Sequence, residues 1–83
     1  MFCAIYKSLK KQDTYLYVAR KDDFTQVPKA LLQMFGDPIH VMDLELNADR
    51  KLAQEDVMEV MRSLGEKGWH LQMPGREAWA FIH

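Results

Sequence analysis

Cysteine is nearly missing: Cys3 stands alone in 83 residues, so no disulfide within the chain can brace the fold. A lone thiol suits a reducing compartment, and a cytoplasmic location is expected. Long apolar runs are missing as well, and nothing approaches the roughly 18 consecutive apolar residues of a spanning helix. The opening Met1-Phe2-Cys3-Ala4-Ile5-Tyr6 has no basic residue ahead of its apolar stretch and meets Lys7 too early for a signal peptide. Four glycines and three prolines are scattered singly, which leaves no glycine-rich loop to cradle a phosphate. A formal net charge of −1 argues against a general phosphate binder.

What is present suits one small soluble domain. Hydrophobic residues make up 48% and charged residues 28%, which excludes disorder and fibrous repeats. Phe2 to Lys7 alternates as a strand, Ser8 to Asp13 has hairpin-loop length, and Thr14 to Val18 reads as a second strand, so the two should pair antiparallel. Val27, Leu31, Met34 and Phe35 stand at helical spacing and predict a helix over about 26–35. Pro28 is tolerated in its first turn and Gly36 supplies the stop. Ile39 to Leu46 predicts a third strand. Ala53, Val57, Val60, Met61 and Leu64 predict a second helix over about 52–67, with Glu55 and Asp56 at its positive end. After Gly68, residues 69–73 predict a fourth strand that Pro74 ends. The order β-β-α-β-α-β implies an α+β fold, a four-stranded and largely antiparallel sheet packed with two main helices. Cys3, Ile5, Leu16, Val18, Leu44 and Leu71 are expected to meet the helix stripes.

The charge is uneven. Residues 1–21 set Lys7, Lys10, Lys11, Arg20 and Lys21 against Asp13, a net +4, whereas residues 22–83 carry six basic and eleven acidic side chains, a net −5. If the first two strands pair, Tyr6, Tyr15 and Tyr17 can share one sheet face opposite Leu16 and Val18, with Lys7, Lys10 and Lys11 at the hairpin end and Arg20 and Lys21 at the other. Aromatic rings on an open sheet with flanking cations would stack bases and neutralise phosphates. The competing explanation is that tyrosine simply suits strands, since its ring covers neighbours while its hydroxyl reaches water.

Catalytic sets are hard to assemble. Cys3, His40, His70 and His83 are the whole supply of soft or imidazole ligands and show no CxxC, HxxxH or HxH spacing, so no metal and no cofactor is expected. Asp43 and Glu45 share a strand face about 7 Å apart by strand rise, but paired carboxylates on a solvated strand need no catalytic role. Asp22-Asp23 suits the approach to the first helix, where an Asp oxygen can accept orphan N–H bonds. Ser8 and Ser63 lie in no nucleophile elbow, and Cys3 has no neighbouring cation in sequence to activate it. Gly65 inside the second helix marks either close packing or a fraying turn, and Met58 falls off the apolar stripe.

Phe2-Cys3-Ala4-Ile5-Tyr6-Lys7-Ser8, Thr14-Tyr15-Leu16-Tyr17-Val18, Asp22-Asp23-Phe24, Val27-Pro28, Phe35-Gly36, Lys51-Leu52-Ala53 and Gly68 with Leu71-Gln72 together resemble the bacterial YcgL domain. The resemblance covers roughly residues 2–74 and implies a small cytoplasmic protein with an α/β fold of its own and no established activity, so no site residues carry over. Its members resemble one another in lying near genes for ribonuclease D or the Min cell-division system, which is context and not mechanism. A YcgL-like domain over 1–74 and a divergent tail over 75–83 are therefore expected, because relatives tend to continue into a polar, proline-rich tail whereas this chain ends with Trp79, Phe81 and Ile82 among its last residues. Those apolar groups either cover a groove on the domain, contact another chain, or stand as an exposed liability. The expected function is a non-enzymatic protein-interaction module, binding a protein partner or a copy of itself. The alternative is single-stranded nucleic-acid binding through the tyrosine and lysine face.

Overall fold

The computed structural model describes residues 1–50, 52 and 55–73. Its elements follow the expected order: β1 (Phe2–Lys7), β2 (Tyr15–Val18), α1 (Lys29–Phe35), β3 (Ile39–Glu45), α2 (Val57–Lys67) and β4 (Trp69–Gln72). The strands form one sheet in the order β3-β1-β2-β4, every neighbouring pair antiparallel.

Both helices start later than their apolar stripes suggest. Asp23 folds back on Thr25 and the Val27 N–H donates to the Phe24 carbonyl, so the segment before Pro28 is spent on turns. The Pro28 carbonyl then accepts from Leu31 and Leu32, both at 3.1 Å, which opens α1 without any side-chain cap. Asp22 and Asp23 thus shape a turn and do not cap the helix. At α2 the cap is Asp56, whose carboxylate accepts the Met58 N–H at 2.9 Å, and Glu55 lies just ahead of the helix. Ala53 lies outside the described residues. Two glycines close the helices with positive φ, a conformation that side chains resist: Gly36 at φ 82°, ψ −163° and Gly68 at φ 85°, ψ 0°. The Gly68 carbonyl also accepts the Ala19 N–H at 3.1 Å, tying the end of α2 to the end of β2.

Register decides which side chain meets which helix. Residues directly opposite on paired strands share a face, and β1 sets Ile5 against Tyr17 and Tyr6 against Leu16. One face therefore packs Cys3, Ile5, Tyr17, Leu44 and Leu46 under Val57, Val60 and Leu64 of α2. The other packs Ala4, Tyr6, Leu16 and Val18 with Val27 and with Phe35 of α1, joined by half-buried Leu31, Leu32, Trp69 and Leu71. The helices cover opposite faces of one sheet. The expected core residues all meet helices, but they divide: Cys3, Ile5 and Leu44 under α2, and Leu16, Val18 and Leu71 under α1.

β3 carries a bulge. Met42 opposes Ile5 and His40 opposes Tyr6, so Val41 is an extra residue without a partner on β1. An extra residue shifts the alternation by one, which is why His40 and Asp43, three positions apart, lie on the same side.

Candidate functional site

The proposed tyrosine face does not form. Tyr6 lies on the α1 face, whereas Tyr15 and Tyr17 lie on the α2 face, because the hairpin pairs Lys7 with Tyr15 and so places Tyr6 opposite Leu16. Two of the three rings are core. Tyr6 is 2% exposed; its hydroxyl donates to Asp22 Oδ1 at 3.1 Å and accepts the Asp22 N–H at 2.7 Å, while its ring meets Phe24 and His40 edge-on. Tyr17 is 4% exposed, donates its hydroxyl to Gln72 Oε1 at 2.7 Å, and meets the His70 ring edge-on. Burial raises the phenol pKa of Tyr6 and pushes that of Tyr17 up to about 12. Only Tyr15 is half-exposed, so the three tyrosines form no shared base-stacking platform.

The imidazoles and the thiol are equally scattered. His40 sits on edge strand β3 with Nε2 3.0 Å from Asp43 Oδ1, which occupies the carboxylate that was paired in sequence with Glu45. His70 sits on the opposite edge strand, β4, under the α2 side, with Nε2 3.6 Å from Glu55 and no hydrogen-bond partner among the described residues. Cys3 is buried in the α2 core, and burial pushes its thiol up to about 11, with the Met1 ammonium pulling weakly the other way. Such a thiol is a core side chain, inert at neutral pH. Among the described residues, no three His, Cys, Asp or Glu side chains lie close enough to hold a metal ion. His83, Trp79, Phe81 and Ile82 lie outside the described residues.

The lysines of the hairpin end do come together with other features. Ser8, which composition gave no reason to single out, organises this end. Its hydroxyl donates to the Phe35 carbonyl at 2.6 Å and accepts the N–H groups of Lys10 at 3.1 Å and Lys11 at 2.9 Å. The β1–β2 turn is thereby pinned to the last turn of α1. Lys10 lies across Gly36, with Nζ 3.3 Å from the Gln33 carbonyl; an added Cβ at Gly36 would stand 3.0 Å from Lys10 Cδ. Between the turn and the helix end is an open hollow of about 410 Å³ lined by Lys10, Phe24, Leu32, Gln33, Gly36 and Pro38, with Asp37 also at its edge. Lys7 lies across from Ile39 on β3, and Lys11 projects into water. Among the described residues, none of the three lysines is in an ion pair.

Apolar side chains are exposed around this end. Leu9 in the turn is 73% exposed, and Ile39, Val41 and Met42 are exposed along β3. Arg20 and Lys21 stand beyond the other end of the hairpin and line separate hollows. The hairpin-turn end is thus a mixed cationic and apolar surface, and of the expected contact residues it holds Lys7, Lys10, Lys11 and half-exposed Tyr15.

A sheet covered on both faces by one helix each, with a cationic and apolar end, defines a small α+β domain. The chain belongs to the YcgL domain family, whose profile matches residues 3–75. It is 57% identical over 74 residues to a YcgL domain-containing protein of Vibrio parahaemolyticus, covering 89% of this chain and 78% of that one. Against a YcgL domain-containing protein of Shewanella amazonensis the identity is 53% over 74 residues, covering 89% and 80%. Against one of Thioalkalivibrio sulfidiphilus it is 54% over 70 residues, covering 84% and 86%.

Proposed function

We propose that this YcgL domain is a non-enzymatic protein-interaction module of the cytoplasm, and that its contact surface is the hairpin-turn end with the adjoining edge of β3. The observation that carries this is the exposure of Leu9, Ile39, Val41 and Met42 beside Lys7, Lys10 and Lys11. Exposed apolar side chains rimmed by polar ones mark interaction surfaces more often than catalytic ones. The lack of enzymatic activity is supported by where the reactive groups stand: the thiol is buried and held protonated, and His40 and His70 occupy opposite edges of the sheet. A reducing compartment keeps the free Cys3 as it is. Nucleic-acid stacking is the weaker reading, since Tyr6 and Tyr17 are core residues with engaged hydroxyls.

The test compares the native chain with Leu9→Asp and Ile39→Asp, both at exposed positions outside the two hydrophobic clusters, with circular dichroism to confirm that each variant is folded. Light scattering reads self-association, and capture on immobilised protein from the native cell extract reads other partners. Partners or copies retained by the native chain and lost by both variants support the reading. Identical retention by all three rejects this surface.

A further inference from the structure

β3 is one edge of the sheet, and among the described residues no strand lies beyond it. Successive residues of a strand send their backbone N–H and C=O groups alternately to its two sides, so the outer side of β3 holds a row of groups that another strand would match. This edge is seven residues long and exposes Ile39, Val41 and Met42. The opposite edge, β4, has four residues, all half-buried. Exposed edges are commonly blunted by lysine, by proline or by shortness, and β3 uses none of the three. Its one irregularity is the bulge at Val41, which decides what the edge can pair with.

Resting on the contact function proposed above, we propose that β3 pairs antiparallel with β3 of a second copy of this chain, about a two-fold axis between Val41 and Met42. Opposed residues of paired strands share a sheet face. Ile39, Met42 and Leu44 lie on the α2 side, whereas His40, Asp43 and Glu45 lie on the α1 side. With the axis between Val41 and Met42, Ile39 meets Leu44 on one face, His40 meets Asp43 on the other, and the two bulges face each other at the centre. A slip of one residue sets Ile39 against Asp43 or Glu45, on the wrong face in either case. The extra residue thus makes the strand complementary to itself in one register. His40 Nε2 and Asp43 Oδ1 already bond within the chain at 3.0 Å, which leaves the other ring nitrogen and the other oxygen without a bond among the described residues. These are the groups that the copy would engage. Such an interface uses the same patch on both copies and closes as a dimer.

Sedimentation of the full chain, from about 1 μM to about 1 mM, should show the mass rising from the 9.7 kDa of one chain toward twice that value. His40→Glu and Asp43→Lys should each weaken the association about tenfold or more, and an equimolar mixture of the two variants should regain it. In the mixed pair the new carboxylate of one copy faces the new ammonium of the other. A loss caused only by breaking the contact inside each chain would not be rescued by mixing. Met58→Lys, on the exposed side of α2, should leave the association unchanged. Circular dichroism confirms that each variant is folded. A monomer at every concentration overturns the proposal. So does association that both β3 variants keep, that mixing fails to restore, or that Met58→Lys weakens equally. A monomeric native chain that still captures partners lost on Leu9→Asp and Ile39→Asp would leave the contact surface standing and give it an occupant other than a copy.

Discussion

A hydroxyl that serves three bonds at once is a strong local constraint, and Ser8 is such a group: it donates to the Phe35 carbonyl and accepts from Lys10 and Lys11. Ser8→Ala leaves that carbonyl and two N–H groups without their partner, and a loss of about 1–3 kcal/mol is expected from urea unfolding. If the loss were near zero, water would be replacing the hydroxyl and the turn would not depend on it. Buried acids make a second prediction at this scale. Cys3 at about 11 and Tyr17 at about 12 both hold their protons more tightly in the fold than in the unfolded chain, where the ordinary values are 9.0 and 10.0. Their contribution to stability is therefore intact below pH 9 and is lost as pH rises, first through the thiol range and then through the phenol range. The urea midpoint should stay level up to about pH 9 and fall between about pH 9 and 12. Cys3→Ala should delay the onset of that fall, and Tyr17→Phe should flatten its upper part. A midpoint insensitive to both substitutions would show that other groups govern the alkaline transition. Neither Ser8 nor the phenol environment was legible in sequence, because each depends on which distant backbone the side chain meets.

Secondary structure, in contrast, is written in neighbours. All six elements were legible from alternation and helical spacing, and the misplaced helix starts come from turns whose hydrogen bonds lie off the apolar stripes. The two glycines near the end of α2 separate local from non-local causes. Gly65 is within the helix, and among the described residues an added Cβ there would meet nothing within 4 Å, so they offer no close packing to explain it. Gly65→Ala should stabilise the protein by roughly 0.5–1 kcal/mol through helix propensity alone. Gly68 differs. It has φ 85°, and its Cβ would collide with the Gln26 side chain. Gly68→Ala should destabilise by about 1–3 kcal/mol, the usual cost of a strained backbone. Thermal melts of the two variants should move in opposite directions. A shared direction would mean that tertiary packing of α2, and not its local geometry, sets its stability.

At the scale of the whole molecule, the described residues form a sheet with a separate hydrophobic cluster on each face. That division escaped sequence analysis because strand order and register are long-range facts. A one-residue difference in hairpin pairing sends Tyr6 to one face and Tyr17 to the other, and both alignments suit the same alternating pattern. The same cause dissolved the tyrosine part of the expected site, whereas Lys10 and Lys11, fixed by their place in a local turn, stayed together. Two cores on one sheet also predict how damage combines. Val18 and Val60 are both 0% exposed, Val18 under α1 and Val60 in α2 on the other side. Each substitution to alanine should cost roughly 1–3 kcal/mol in transfer and cavity terms. Because the side chains share no partner across the sheet, the costs should add to within about 0.5 kcal/mol. Val60→Ala with Leu64→Ala, which line one core, should depart further from additivity. Equilibrium urea curves of singles and doubles read both couplings. A cross-sheet coupling as large as the same-side one would mean that the strands transmit strain between the faces, and that the domain has one core in the energetic sense despite having two in the geometric one.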